Sequence, residues 1–183
     1  MKRELPTRVG RRGFTLVEAM AAMSVLVAVG SVSSTIVISA VNGGRTSYTS
    51  CQLNEEISSA MERVVHELRR VGLSASAGTT APNITAATAN SISFGASSSF
   101  ALSGSTLNFV DSGAAAVALL TNVAAFTVEC YDESNSALAA SLSGTACYPI
   151  RRVQVSITCT RDGVSETLRT RVFVRGAMSG GVP

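Results

Sequence analysis

Residues Phe14 to Val41 form a 28-residue, largely apolar run with one charged side chain, Glu18. As an α-helix the run would be about 42 Å long, more than the roughly 30 Å of bilayer hydrocarbon, so it can span with tilt. A basic leader precedes it. Lys2, Arg3, Arg8, Arg11 and Arg12 stand against Glu4, a balance of +4, whereas residues 14–183 carry ten arginines and eleven acids, a balance of −1. The excess positive charge therefore lies on one side of the run, which argues for an N-terminus in the cytoplasm and a C-terminus outside. The rest of the chain has no bulk charge of the kind that marks nucleic-acid binding. Gly30 and the Ser31–Thr35 cluster weaken a helix in water but are tolerated in a membrane helix.

Three readings compete for this segment. A secretory signal peptide explains the basic start, and Ile38-Ser39-Ala40 offers small residues for cleavage. Its apolar region is ordinarily about 7–15 residues, however, and this run is about twice that. A plain single-span anchor explains the length but not Glu18, because a carboxylate in lipid is costly unless paired. The third reading accounts for both. Arg12-Gly13-Phe14-Thr15-Leu16-Val17-Glu18 resembles the prepilin motif of type IV pilins and type II secretion pseudopilins. The resemblance implies cleavage by prepilin peptidase after Gly13 and N-methylation of the new N-terminal Phe14. It also places Glu18 at the family's signature acid, the fifth mature position. The cleaved Phe14 amine would have a pKa of about 7.7–8.0 and be mostly cationic. In a bundle of related helices, Glu18 of one subunit can then meet the Phe14 amine of the next. Removing one partner of such a pair in low dielectric costs about 3–5 kcal/mol, so the contact would set axial register. The simpler alternative is that Glu18 extends to the headgroup zone.

Asn42-Gly43-Gly44 follows, either a helix end or a joint within a longer helix. Leu53, Ile57, Met61, Val64, Leu68 and Val71 then recur at helical spacing and give one apolar stripe, with Glu55, Glu56, Glu62, Glu67, Arg63, Arg69 and Arg70 mostly off it. Gly72 is a candidate C-cap. Cys51 lies off the stripe. The only histidine, His66, sits near its edge without a nucleophile or ligand set beside it, so it reads as a surface residue.

From Ser74 to Val110 there is no charged residue. Short strands are expected near 90–95, 99–103 and 105–110, with a loop over 73–89. Within Leu119 to Asp132, Phe126, Val128 and Cys130 share a face of a strand over 123–131. After a loop over 132–149, Val153, Val155, Ile157 and Cys159 alternate with polar residues. Arg161-Asp162-Gly163 signals a hairpin turn into a returning strand with Leu168, Thr170, Val172 and Val174 on one face. The region reads as an antiparallel meander with one buried face. Its segment Leu119-Leu120-Thr121-Asn122-Val123, with Phe126, Val128, Tyr131-Asp132 and Ile150-Arg151-Arg152-Val153, is similar to W-type minor pilins and J-type pseudopilins.

The expected fold class is α+β: a long N-terminal helix, half transmembrane and half amphipathic, packed on an antiparallel sheet as in pilins. The expected divisions are a cytoplasmic leader (1–13), a transmembrane and filament-core helix (14–41), an amphipathic continuation (42–72) and a periplasmic sheet domain (73–183). Among the cysteines, Cys130 and Cys147 would close a 16-residue loop, a bridge worth about 3 kcal/mol in chain-entropy models. Cys130–Cys159 is disfavoured, because Cys130 would oppose the start of the second strand. Free buried thiols are the remaining alternative. Asp132-Glu133-Ser134-Asn135 lacks the spacing and glycine of an EF-hand and reads as a solvated turn. Arg151-Arg152 and the Arg169/Arg171/Arg175 face read as solvated. No catalytic triad, metal-ligand set or phosphate-binding loop is present, so neither an enzyme nor a cofactor is expected. The resemblance implies a minor pilin that helps initiate type IV pilus assembly. Its partners would be other minor pilins, the major pilin, prepilin peptidase and the inner-membrane assembly platform. It would sit in the inner membrane, N-in and C-out, before joining an extracellular or periplasmic filament. The alternatives are a type II secretion pseudopilin and a tip module for adhesion or DNA uptake.

Overall fold

The computed structural model describes residues 15–74 and 81–174, and the chain divides into two compact units, Met1–Arg45 and Thr46–Pro183. One α-helix, α1, runs from Leu16 to Arg70. Asn42-Gly43-Gly44 lies within it and not at its end. A Cβ at Gly43 or Gly44 would meet no atom within 4 Å. Packing therefore does not demand glycine at either position, although each costs about 1 kcal/mol of helix propensity relative to alanine.

In the second unit, α1 buries the stripe Leu53, Ile57, Met61, Val64 and Leu68, as the spacing predicts. Glu67 departs from that pattern, because it is also buried. Arg63 at 3.0 Å, His66 at 3.5 Å and Arg70 at 3.8 Å surround its carboxylate. Gly72 is not a left-handed cap. Its φ is not positive, and its carbonyl accepts the Asn83 N–H at 2.9 Å.

The strands are β1 (Ile84–Thr88), β2 (Ser91–Phe94), β3 (Ser98–Ser103), β4 (Thr106–Val110), β5 (Val117–Leu120), β6 (Val123–Tyr131), β7 (Leu142–Ser143), β8 (Arg152–Arg161) and β9 (Val164–Phe173). They form two antiparallel sheets, ordered β5-β4-β3-β2-β1-β7 and β6-β8-β9. A single meander was expected. The difference arises at Thr121-Asn122, where Asn122 adopts φ 59°. Asparagine tolerates this left-handed conformation, and the chain turns there out of the first sheet into the second. Strand β1 falls in the expected loop. Its buried residues are Ile84 and Ala87, and a register shift between Ile84 and Ala86 breaks the two-residue alternation. The 132–149 loop also holds β7, which pairs with β1, and a 3-10 turn over Gly144–Cys147. The β8–β9 hairpin forms as predicted. Asp162 and Gly163 both have positive φ, 52° and 77°, the geometry of a two-residue turn matched to strand twist.

One core joins both sheets to the stripe on α1. Phe94, Phe100 and Phe109 stack across β2, β3 and β4, with centroids 5.7 and 4.7 Å apart. The tip of the β8–β9 hairpin is tied to α1 by a fork. Arg161 donates to both Glu56 carboxylate oxygens, at 2.9 and 2.7 Å. Further along α1, the Ser50 hydroxyl donates to Glu166 of β9.

The Arg161 hydrogen bond holds the Glu56 carboxyl below its ordinary pKa, against an opposing effect of burial. A depressed carboxylate stabilises the fold above its unfolded pKa and loses that contribution as pH falls through the folded value. Glu56→Gln should therefore lower stability by about 1 kcal/mol at neutral pH. In thermal unfolding the deficit should shrink as pH drops below the ordinary glutamate value of 4.5.

Candidate functional site

Gly13 and Phe14 lie outside the described residues; Glu18 lies within them, in the first turn of α1. Its Oε2 accepts from the Thr15 N–H and from the Thr15 hydroxyl, both at 3.1 Å. The Glu18 N–H in turn donates to Thr15 Oγ1 at 3.3 Å. This is a reciprocal capping box: a threonine N-cap and a glutamate three residues on, each satisfying a backbone N–H that the helix leaves open. The sequence signal was there to be read, since Thr15-Leu16-Val17-Glu18 has the Thr-x-x-Glu spacing. Attention to the charge of Glu18 hid its local role. Among the described residues, the other carboxylate oxygen, Oε1, has no partner.

Beyond this turn the helix presents apolar side chains on every face. The large apolar residues from Leu16 to Val41 are 49 to 80% exposed. The segment is long and apolar enough to cross a membrane, with a mean hydropathy of 2.0 over its best window and no part of that window buried. Four of its hydroxyls are satisfied within the helix. The hydroxyls of Ser24, Ser31, Ser33 and Thr35 donate to the carbonyls of Ala21, Ala28, Val29 and Val32 at 2.8 to 2.9 Å. A hydroxyl bonded to the preceding turn exposes little polarity and suits a surrounding of low dielectric.

The other candidate residues lie apart from this site. Cys51 is exposed, while Cys130, Cys147 and Cys159 are buried, and all four are free thiols. The expected Cys130–Cys147 bridge is thus not formed in this structure, though both residues belong to the same core. Cys130 opposes Val153 near the start of β8, and Cys159 opposes Val123, the register that disfavours a Cys130–Cys159 bridge. Burial, with a smaller effect from Cys147, pushes the Cys130 thiol up to about 12. Burial also raises Cys147 and Cys159. These thiols are held protonated, which disfavours the thiolate needed for exchange.

His66 is largely exposed beside Glu67. In the 132–135 turn, Asp132 Oδ1 accepts the Ser136 N–H at 2.8 Å, so this carboxylate closes its own loop. Among the described residues no group of three or more His, Cys, Asp or Glu side chains gathers as a metal would require. On the second sheet Arg152 and Arg171 are ordered, not simply solvated, whereas Arg175 lies outside the described residues. Arg171 lies 4.3 Å from the Tyr131 ring centroid and Arg152 lies 4.9 Å from that of Phe173. Both also donate to Asn135 Oδ1 at 3.0 Å. Sequence reading missed this arrangement because the two aromatic residues come from different strands.

No protein-family model, no curated protein and no solved structure matches the chain. The fold and the site define an α+β protein with one N-terminal helix long and apolar enough to span a membrane. Its second unit packs the amphipathic part of that helix on antiparallel sheets.

Under native reducing conditions Cys51 should alkylate readily, whereas Cys130, Cys147 and Cys159 should react only after unfolding. Peptide mass mapping of labelled protein checks this, and native labelling of Cys130 would contradict the burial described.

Proposed function

We propose that this chain is a non-enzymatic filament subunit, a minor pilin of a type IV pilus, cut after Gly13 and methylated at Phe14. The observation that carries the reading is Glu18. It is the one acid in the apolar run from Phe14 to Val41, and the described residues engage only one of its two carboxylate oxygens. In a filament the free oxygen would receive the Phe14 ammonium of a neighbouring subunit. The exposed apolar faces of both helices would shield the pair and raise the cost of losing either partner.

On this reading the basic leader holds the N-terminus in the cytoplasm until cleavage. Cleavage removes the excess positive charge and creates the amine that Glu18 requires. The apolar helix then leaves lipid for a bundle of like helices, and the sheet unit remains outside the membrane. Its partners are companion minor pilins, the major pilin, prepilin peptidase and the membrane assembly platform, and its role is to help initiate assembly. In an oxidising compartment, Cys130 and Cys147 are the pair we propose to close a disulfide, because Cys147 lies close enough to act on the Cys130 thiol.

Capping and intersubunit pairing can be separated by mutation. Glutamine serves at the third helical position of a capping box as glutamate does but cannot neutralise an ammonium. Glu18→Gln should leave the chain stable, inserted and cleaved, yet reduce its incorporation into sheared filaments by well over tenfold. Thr15→Val removes the cap at a cost of about 1 kcal/mol and should lower incorporation by no more than about fivefold. Immunoblotting of filament and membrane fractions reads both. Normal incorporation of Glu18→Gln would show that Glu18 acts on its own helix alone.

A further inference from the structure

Strand β9 ends the three-stranded sheet. Strand β8 pairs with its inner edge over ten residues, and among the described residues no strand pairs with its outer edge. The ends of the other sheet are short, four residues in β5 and two in β7, which is one way proteins blunt exposed edges. The ten-residue β9 edge lacks that protection. Charged side chains are another common guard, and of the two β9 arginines one, Arg171, is occupied elsewhere. Arg171 stacks on Tyr131 and donates to Gln154 Oε1 at 2.8 Å and to Asn135 Oδ1 at 3.0 Å. It is folded back over the sheet face.

A groove of about 650 Å³ runs beside this edge, between β9 and α1, with Met61, Val65 and Leu168 as apolar lining and Glu62, Arg69 and Arg169 among its charged residues. Glu56 and Glu67 have arginine partners in this unit. Arg69 and Arg169, by contrast, form no ion pair among the described residues; nor does Glu62, so the unpaired charges of the groove sum to a net positive one. The site thus combines an open row of backbone donors and acceptors, an apolar trough, and two unneutralised guanidinium groups.

We propose that the β9 edge and this groove bind an extended acidic strand of a different protein chain. A strand added about 4.8 Å beyond β9 would take up the open backbone groups. Alternate side chains would face the groove, because successive residues of a strand point to opposite faces. Apolar side chains would rest on Met61, Val65 and Leu168, carboxylates on the opposite face of the added strand would meet Arg169, and an acidic residue at the end of the strand would meet Arg69. The proposal concerns the Thr46–Pro183 unit and is independent of whether the N-terminus is processed.

The test uses the full chain in detergent micelles. The probe is a capped octapeptide alternating valine and glutamate, compared with its valine–lysine counterpart. The acidic peptide should bind and slow amide hydrogen exchange within Val164–Phe173, while the lysine peptide does not bind. The double variant Arg69→Glu/Arg169→Glu should bind the acidic peptide about tenfold more weakly or worse, and should gain affinity for the lysine peptide. Both substitutions lie at exposed positions, so an unchanged Tm confirms that the variant is folded. Absence of binding, equal affinity for the two peptides, or protection confined to other strands would overturn the proposal. So would β9 protection that rises with protein concentration in the absence of peptide, which would make a second copy the occupant.

Discussion

A helix can remain in contact with hydrocarbon only if the polar groups it carries are bonded within itself. The described part of the apolar run meets much of that constraint. The hydroxyls of Ser24, Ser31, Ser33 and Thr35 bond to the preceding turn, and Thr15 and Glu18 cap the first turn. Most of the other side chains from Leu16 to Val41 are apolar, and the described residues do not bury them. Such a surface finds its partner in lipid or in other helices. The capping box adds a refinement, because it reduces the exposed polarity of Glu18 without cancelling its charge. That residual charge is the one for which we propose a partner in a neighbouring helix.

The second unit solves a different problem with the same helix. From Leu53 onward, α1 exchanges all-round apolarity for a single stripe, and that stripe organises two sheets which would otherwise expose their inner faces. The Glu56–Arg161 fork and the Ser50–Glu166 contact fix the hairpin along the helix. The aromatic stack through Phe94, Phe100 and Phe109 fills the first sheet's share of the core. The chain's modest number of charges is therefore used mostly for docking and surface order. None of the described groups gathers in a form that suggests metal binding.

Much of this was legible in the sequence because it rests on periodicity. The stripe from Leu53 to Leu68 and the alternation through Val153, Val155 and Ile157 each name a buried face, and the Asp162-Gly163 turn names a hairpin. The misses share a physical cause. Strand β1 buries few large side chains, and a register shift interrupts its period. The change of sheet at Asn122 depends on one backbone angle, which hydrophobic spacing does not encode. Glu67 is buried because Arg63 and Arg70 reach back to it, a compensation invisible to a pattern that sorts charged residues outward. The candidate site was half legible. The charge of Glu18 drew notice, while the Thr15 cap that shares its carboxylate did not.

The proposed pairing requires that the leader be removed to create the partner of Glu18. The most direct measurement is the intact mass and N-terminal peptide of the protein isolated from its native membrane or filament fraction. The account predicts a chain beginning at an N-methylated Phe14. A chain that retains Met1 through Gly13, or one cut near Ala40, would contradict it.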